Sequence, residues 1–245
     1  MLRRAMAISL LIFILCSANA FTLEKPQWKE GDYWQYVMKI VGSEKGEMLL
    51  IEVLDKENLT INNITYSCIV VKTSGIVDEL NYYDEETFAV VKKVIYRDTK
   101  SEEIVYAAPQ SSIIQYPIFI GKKWNATVVD YKNSSVTLSI ECTGTEKVAT
   151  KAGSFNCYVI KADYVFNETD SIPYLYQIIY LSDRVGNMVK TEMYQNDTLV
   201  GYTELISFHY SGYMESKNHI VLIAATIVAS ISILVAAFYF LKLQK

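Results

Sequence analysis

The stretch AGSFNCYVIKA, residues 152–162, places a tight turn directly before an apolar strand that contains a cysteine. Its glycine supplies the backbone freedom that a tight turn needs, and the alternation of Phe155, Cys157 and Val159 is typical of one face of a strand. Earlier in the chain, residues 63–73 read NITYSCIVVKT, which is nearly the same pattern. A cysteine strand that occurs twice predicts that the fold contains the same structural unit twice.

The similarity extends on both sides of the cysteine strand and keeps the same order. Residues 31–34, GDYW, match residues 121–124, GKKW, at a displacement of 90 positions. Downstream, three residues match three others at a displacement of 98 positions: Tyr82, Lys92 and Tyr96 against Tyr180, Lys190 and Tyr194. Because the matches are collinear, the sequence predicts a tandem duplication.

The region between the two chain ends is predicted to be all β. The chain has 19 Tyr and only 4 Pro, and each half divides into six runs rich in β-branched and aromatic residues, several of which alternate between polar and apolar residues. No convincing helical period of 3.6 residues occurs in it. We therefore predict an all-β ectodomain, built as a tandem-duplicated, curved, half-barrel-like antiparallel sheet, plus one C-terminal transmembrane helix. Two small barrels side by side are the alternative.

Both ends of the chain are predicted to be targeting or membrane segments. Residues 1–20 combine two arginines, a short apolar run and the small-residue pattern ANA, which together indicate a cleaved signal peptide. Residues 220–241 are uncharged and mostly apolar, and as a helix of about 33 Å they would span a bilayer. The two lysines that follow favour a cytoplasmic end. An uncleaved N-terminal anchor and a C-terminal lipid anchor are the alternatives.

The predicted organisation places one extracytoplasmic β region between these segments. The stretch PQSSIIQYP joins its two halves. The boundaries are residues 1–20 for the signal peptide, 21–108 for the first β-repeat, 109–117 for the joint, 118–213 for the second β-repeat, 214–219 for a juxtamembrane stalk, 220–241 for the transmembrane helix and 242–245 for the cytoplasmic tail. We expect a single-pass cell-membrane protein whose N-terminal ectodomain lies outside.

The charge of the ectodomain disfavours some partners. Of the 23 basic residues, four lie in the terminal segments, so residues 21–219 hold 19 basic and 27 acidic residues and a net charge of −8. An acidic surface without a basic patch disfavours nucleic acid and anionic membrane surfaces.

The ectodomain also carries six Asn-x-Ser/Thr sequons, which predict N-glycosylation on an extracytoplasmic surface. Asn-rich turns of a β-protein can produce such triplets by composition, but all six lie between the two terminal segments. The candidate residues are Asn58, Asn63, Asn125, Asn133, Asn167 and Asn196.

Three cysteines remain after the predicted signal peptide: Cys68, Cys142 and Cys157. If residues 151–154 form a hairpin turn, Cys157 opposes Val148 and Cys142 lies about 20 Å further along. A disulfide needs Cα atoms within about 7 Å, so this pair is disfavoured. We predict three buried thiols.

The sequence offers little catalytic chemistry. A Cys157–His209 pair can be drawn as nucleophile and base, but no local motif supports it, and a buried strand cysteine is the simpler interpretation. The acidic runs 78–79 and 84–86 do not have the spacing of a calcium loop and are read as solvated strand ends. Zinc-ligand spacing and a glycine-rich phosphate loop are absent from the sequence. We predict no enzymatic activity, no metal and no cofactor.

The stretches VATKAGSFNCYVIKADY and YLSDRVGNMVK resemble a group of envelope proteins of unknown function. The shared pattern is A-G-[ST]-[FY]-x-[CA]-Y-x-[IV], followed by Y-x-[SD]-x-x-V-G-x-[VM]-K. It is carried by Ala152, Gly153, Phe155, Cys157, Tyr158, Ile160, Tyr180, Val185, Gly186, Val189 and Lys190. Residues 28–34, and in part 121–124, are similar to the group's opening W-x-x-G-[DK]-x-W strand. The first half departs from the group, because it has no A-G before Tyr66 and no V-G before Val90.

This resemblance implies a fold more than an activity. Members of the group are secreted or membrane-anchored β-proteins, mainly archaeal in the single-pass form. Their sheets are similar to the curved half-barrels of periplasmic lipoprotein carriers such as LolA.

Two functions from different classes follow from these observations. The first is a glycosylated cell-surface or envelope protein with a non-catalytic binding or structural role. The alternative is a carrier or sensor that holds an apolar ligand, such as a lipid or lipoprotein, in the concave face of the sheet. The expected partners are the membrane, through the C-terminal helix, and either an envelope protein or an apolar ligand. A side-chain-filled core favours the first function, and an apolar concavity favours the second.

Overall fold

The computed structural model describes residues 22–76, 78–97, 100–129, 135–165 and 174–213. In these ranges the chain forms twelve β-strands, with helical backbone only at residues 212–213. The strands are β1 (Tyr33–Ile40), β2 (Gly46–Ile61), β3 (Ile64–Ser74), β4 (Asp78–Asp84), β5 (Val90–Arg97), β6 (Lys100–Gln110), β7 (Lys123–Val129), β8 (Ser135–Thr150), β9 (Gly153–Val165), β10 (Leu175–Ser182), β11 (Asn187–Gln195) and β12 (Thr198–His209). The all-β prediction is confirmed for the described part.

All twelve strands belong to one antiparallel sheet in the order β6-β5-β4-β3-β2-β1-β12-β11-β10-β9-β8-β7. Strands adjacent in sequence pair with each other within each half, and β1 pairs with β12 to join the two halves. The sheet curls into a nearly closed, barrel-like form whose edge strands are β6 and β7. The continuous pairing excludes two separate small sheets in the described residues.

Two strands are longer than the apolar runs predict. β2 and β8 have 16 residues each, whereas the corresponding strand-like runs of the sequence cover only residues 48–54 and 135–141. The pairing of β2 with β3 skips Leu54, and the pairing of β8 with β9 skips Thr143. Such a bulge shifts the side-chain alternation by one residue, so the apolar pattern breaks although the strand continues.

The hairpin of β8 and β9 differs from its predicted register by two residues. The turn has two residues instead of four, and Cys157 therefore pairs with Glu146 and not with Val148. A shift of two residues keeps the same strand face buried. Cys142 pairs with Ile160, about 10 Å along the strand from Cys157, which is too far for a disulfide. Cys142 and Cys157 are free and buried, as is the cysteine of β3.

The same turn precedes the first strand of each half. Gly31 and Gly121 have left-handed backbone angles φ of 87° and 86°. The Gly31 N–H donates to the Val53 carbonyl at 3.0 Å, and the Gly121 N–H donates to the Cys142 carbonyl at 2.7 Å. These two positions are the ones that the G-x-x-W repeat aligns, so the sequence match coincides with a shared backbone conformation.

A second shared turn links the fourth and fifth strands of each half. The Phe88 N–H donates to the Asp84 carbonyl at 2.8 Å, and the Gly186 N–H donates to the Ser182 carbonyl at 2.9 Å. Phe88 and Gly186 are displaced by 98 positions and have φ angles of 57° and 65°. A left-handed backbone suits glycine and strains other residues. Phe88 nevertheless adopts this left-handed conformation, and its side chain is buried.

Buried side chains of the described residues form three clusters. The central cluster consists of Trp34, Tyr36, Val53, Ile69, Val71, Phe88, Val148, Phe155, Cys157, Tyr180, Val185, Val189 and Leu205. The second-half cluster consists of Leu23, Ile118, Trp124, Ala126, Leu138, Ile140, Cys142, Ile160, Ala162, Ile179 and Leu181. The first-half cluster consists of Cys68, Val70, Tyr82 and Val91. The central cluster draws on both halves and therefore holds them together.

Aromatic side chains of the first half lock onto the turn between β10 and β11. The Trp34 indole N–H donates to the Val185 carbonyl at 2.7 Å, and this hydrogen bond is buried. The Trp28 indole N–H donates to the Gly186 carbonyl at 2.8 Å, and the Tyr36 hydroxyl donates to the Met188 carbonyl at 2.9 Å. The two tryptophans of the W-x-x-G-D-x-W element therefore bind the backbone carbonyls of the V-G element.

The predicted terminal segments lie outside the described residues. This applies to the signal peptide at 1–20, the stalk at 214–219, the transmembrane helix at 220–241 and the tail at 242–245. In the part of the chain that the structure describes, no helix has the length and apolar character needed to cross a bilayer. The strand β6 continues to Gln110 and so overlaps the predicted joint at 109–117.

We expect the substitution Gly186→Ala to lower the free energy of unfolding by about 3 kcal/mol, from left-handed backbone strain and overpacking. A Cβ atom at this position would lie 2.4 Å from the Tyr210 ring. Gly121→Ala is the matched control, since its φ is 86° but its Cβ would meet no atom within 4 Å; it should cost about 1 kcal/mol. Urea unfolding, monitored by tryptophan fluorescence, measures the free energy of unfolding of both variants. Equal losses of this free energy in the two variants would contradict the prediction.

Candidate functional site

The structure contains an open cleft of about 680 Å³ beside the hairpin of β2 and β3. Three separate parts of the chain line it: the N-terminal segment, the start of β3, and the turn between β4 and β5. The lining residues are Lys25, Ile64, Thr65, Tyr66, Ser67, Asp84, Glu85, Glu86 and Thr87. Most of the lining residues are polar or charged, but their exposed surface includes a large apolar share, to which Ile64 and Tyr66 contribute.

Hydrogen bonds hold the walls of this cleft together. The Lys25 ammonium donates to the carbonyls of Glu85 and Glu86 at 2.9 and 3.0 Å. The Glu85 carboxylate accepts from Lys56 at 2.5 Å and from Ser67 at 3.1 Å. The Lys56 hydrogen bond is the main cause that lowers the pKa of Glu85 below its ordinary value. Glu85 therefore stays ionised at neutral pH and is already paired.

One wall of the cleft is a strand edge that extends past its neighbour. β4 pairs with β3 only from Thr73 to Cys68, so residues 64–67 continue beyond the end of β4. The Glu85 N–H donates to the Ser67 carbonyl at 2.8 Å and marks where the pairing stops. Exposed strand edges can accept a further extended segment through main-chain hydrogen bonds.

Aromatic side chains in the central cluster and at its margin are in direct contact with one another. The Trp28 ring packs against Phe88 and Trp34 at centroid distances of 4.8 and 5.3 Å, and Phe155 packs against Phe208 at 5.7 Å. Aromatic rings at these distances are in van der Waals contact. The central cluster is therefore a packed core, which is the arrangement expected of the non-catalytic binding or structural function.

The second half carries a polar network on the side chains of β10 and β11. Glu192 accepts hydrogen bonds from the hydroxyls of Tyr180 and Tyr194 at 3.2 and 3.0 Å, and from Lys190 at 2.5 Å. Burial acts to raise the pKa of Glu192, but the hydrogen bonds from Lys190 and the tyrosines outweigh it and the pKa is lowered. All three donors serve one carboxylate, so the network links β10 to β11.

A row of tyrosines and a lysine continues from this network towards the strand ends. Tyr176 stacks on Tyr194 at 4.8 Å, with 6° between the ring planes. The Lys161 ammonium lies over Tyr176 and Tyr174, at 4.7 and 5.4 Å from their ring centroids. Tyr174 also donates a hydrogen bond to Asp163. The tyrosine rings therefore contact one another and the Lys161 ammonium.

The three cysteines lie in apolar surroundings that keep them protonated. Burial raises the pKa of Cys157 to about 12 and that of Cys68 to about 11, with smaller contributions from nearby carboxylates. The pKa of Cys142 is also raised by burial. A thiol with a raised pKa is a poor nucleophile at neutral pH. His209 stacks on Tyr33 at the end of β12 and is exposed, whereas Cys157 is buried.

The acidic runs named in the sequence are engaged locally. Glu79 forms an ion pair with Lys93 at 3.1 Å, and Asp84 accepts hydrogen bonds from both the backbone and the hydroxyl of Thr87. Among the described residues, no group of three or more His, Cys, Asp and Glu side chains is placed to hold a metal ion.

Four of the six sequon asparagines lie in the described part, and all four are exposed. Asn58 is on β2, Asn63 in the turn between β2 and β3, Asn125 on the edge strand β7, and Asn196 in the turn between β11 and β12. Asn133 and Asn167 lie outside the described residues.

Comparison with known proteins gives a family match and two weak structural likenesses. A family model described as DUF3108-like matches residues 122–205, which run from just before β7 into β12. The match covers less than half of the chain and marks a resemblance of the second half. None of the curated proteins matches the chain significantly.

Two solved structures resemble the fold distantly. One is a protein described as exported, with a YmcC-like fold, from Bacteroides fragilis, at 14% identity and a TM-score of 0.42. The other is described as a lipoprotein from Parabacteroides distasonis, at 17% identity and a TM-score of 0.42. Each alignment covers 77% of this chain and 99% of the other. The archaeal form of the resemblance stays a prediction.

Sequence reasoning did not find the cleft. Its walls come from residues around positions 25, 64–67 and 84–87, which only the folded sheet brings together. The run at 84–86 was visible as an acidic cluster, but its pairing with Lys25 and Lys56 depends on tertiary structure. A cleft made from three distant segments leaves no periodic signal in the sequence.

We expect the stability of the folded protein to fall as the pH rises above 9, because the unfolded cysteines then ionise. The pKa of Cys157 is raised from 9.0 to about 12, so its contribution is complete below pH 9 and is lost as the pH rises towards 12. The variant Cys157→Ala should show a shallower loss of stability between pH 9 and 11 than the parent protein. Ile160→Val, a core change without a titrating group, should keep the parent slope. Equal slopes in all three proteins would contradict this.

Proposed function

We propose that this protein is an exported, membrane-anchored β-protein with a non-catalytic binding or structural role in the cell envelope. The observation that carries the proposal is the packed central cluster, in which side chains of both halves occupy the interior of the curled sheet. With a filled interior, recognition is left to the surface. The cleft beside β3 is a surface recess that could serve it.

The location follows from the two terminal segments of the sequence. A signal peptide at 1–20 would export the chain, and the apolar segment at 220–241 would retain it in the membrane. The DUF3108-like match supports an assignment to proteins of unknown function, and it adds no enzymatic activity. A non-catalytic role agrees with the protonation of the buried cysteines.

The cleft suits an extended, polar partner segment. Its wall at residues 64–67 is a strand edge, which offers main-chain hydrogen bonds. Its charged groups are Lys25 and the carboxylates of Asp84, Glu85 and Glu86, of which Glu85 is ion-paired with Lys56, so the cleft is net acidic. An apolar ligand would have to cover these charged groups at a high desolvation cost.

The alternative function is a carrier or sensor of a lipid or lipoprotein. It would need an apolar concavity, and the observation in its favour is the curled, barrel-like sheet itself. In the described residues that curl is occupied by the aromatic contacts of the central cluster, so we place this function second.

We also propose that the two halves arose by tandem duplication. The turns at Gly31 and Gly121 support it. So do bulges that skip equivalent residues, namely Leu54 and Thr143 in one pair of hairpins and Val91 and Val189 in the other. Matched bulges at constant displacements are features that related halves keep.

Native mass spectrometry of the full-length protein, released from detergent micelles, tests the role of the interior. We expect the polypeptide mass after signal removal, with glycan mass where the host adds it, and no co-purifying lipid. A stoichiometric apolar mass that survives detergent removal would instead favour the carrier function.

Glycopeptide mass spectrometry of the exported protein tests the six sequons. In a host with N-glycosylation we expect sugar on the exposed Asn58, Asn63, Asn125 and Asn196, because exposed asparagines are accessible to modification. Replacing Thr60 with Ala removes the Asn58 sequon and should remove only the sugar at that position. Unmodified peptides at all four exposed sites would refute glycosylation in that host.

A further inference from the structure

The same backbone turn occurs before β1 and before β7, but the two copies carry different side chains. Both contain the same backbone hydrogen bond, from the Asp32 N–H to the Lys29 carbonyl and from the Lys122 N–H to the Phe119 carbonyl, each at 3.0 Å. The first turn exposes Lys29 and Glu30. The second exposes Phe119 and Ile120, whose exposed fractions are 46% and 52%.

Two neighbouring large apolar side chains at the tip of a tight turn are costly in water. The turn itself is held rigidly. The Lys122 ammonium donates to the Pro117 carbonyl at 2.8 Å and lies over the Trp124 ring at 5.3 Å. Ile118, directly before the tip, is fully buried. Phe119 and Ile120 are therefore presented outwards on a firm base, and we call them the apolar tip.

The apolar tip lies at the end of the sheet where the chain leaves towards its C-terminal segment. β1 and β7 are separated by six antiparallel steps in the sheet order, so they run in the same direction and begin at the same end. β12, antiparallel to β1, finishes at that end. The Ser211 N–H donates to the Asp32 carboxylate at 2.8 Å, which holds the departing chain beside the first turn.

The distance from this end to the apolar segment is short. The described chain ends at Tyr213 and the uncharged segment begins at residue 220. Seven residue steps span at most about 25 Å even when fully extended. If residues 220–241 cross the membrane, the end that carries the apolar tip is held next to the bilayer.

We propose that Phe119 and Ile120 contact the lipid bilayer and orient the β region on the membrane. This rests on the membrane anchoring given under the proposed function. The partner is the apolar and interfacial part of the bilayer rather than anionic headgroups, because the β region has a net negative charge and Lys123 is ion-paired with Glu141 at 3.1 Å. Tethering makes a weak contact effective, since it raises the local concentration of the membrane.

The asymmetry of the two halves sets the orientation. The equivalent turn of the first half is polar, and the hairpin of β2 and β3, with the sequon at Asn63, ends on the same side of the sheet. The second half therefore lies closer to the bilayer than the first. The cleft beside β3 belongs to the first half.

The test uses full-length protein reconstituted into phosphatidylcholine liposomes with and without a doxyl-labelled lipid. An NBD fluorophore is attached to Ile120→Cys, to Glu30→Cys in the equivalent polar turn, or to Ile40→Cys at the opposite end of the sheet. The native cysteines are buried and are left unlabelled under native conditions. We expect doxyl quenching at position 120 to exceed that at positions 30 and 40 by at least twofold. Phe119→Asp in the Ile120→Cys protein should reduce this quenching at least twofold.

Liposome flotation of the same samples separates the two levels of the proposal. If the protein floats with the liposomes but position 120 is quenched no more than positions 30 and 40, the lipid contact is wrong and the anchoring stands. Stronger quenching at position 40 would show the reverse orientation and also overturn the contact. A protein that does not float would overturn the anchoring, and with it the inference that depends on it.

Discussion

The buried hydrogen bond from the Trp34 indole to the Val185 carbonyl ties the first strand of the sheet to a turn of the other half. Trp28 repeats this contact one residue further on, and both rings pack into the central cluster. An indole N–H buried without an acceptor is costly, and so is an unsatisfied turn carbonyl. The indole N–H groups and the turn carbonyls therefore satisfy each other. We attribute the curl of the sheet to this contact.

Steric constraints in the same region explain why its residues are so specific. Gly186 follows Val185 in a left-handed turn, and the Tyr210 ring occupies the place where a side chain would begin. Tyr210 in turn precedes the residue that bonds to Asp32. The opening turn, the β10–β11 turn and the departing C-terminal chain are thus packed against one another, at the end of the sheet that also carries the apolar tip.

The sequence was informative wherever a signal is local. Alternating residues located the strands, and the displacements of 90 and 98 positions coincide with turns that have the same backbone angles, such as Gly31 and Gly121. The register of the β8–β9 hairpin was wrong by two residues, because turn length cannot be read from AGSF alone. The hydrogen bond between Trp34 and Val185 could not be predicted from the sequence, since the two residues are 151 positions apart and share no periodic pattern. The strand extensions in β2 and β8 were missed because a bulge hides them.

The two halves have the same backbone conformation at two turns and differ in the side chains that they expose, and this difference is where function is to be sought. At the equivalent turn one half shows Lys29 and Glu30, and the other shows Phe119 and Ile120. At the hairpins, the first half has an open cleft, whereas in the second half Lys151, in the β8–β9 turn, donates its N–H to the Glu204 carboxylate. A packed interior supplies stability to both halves alike. Because both halves contribute to the central cluster, the surfaces that differ between them are where we propose separate roles, one towards a partner and one towards the membrane.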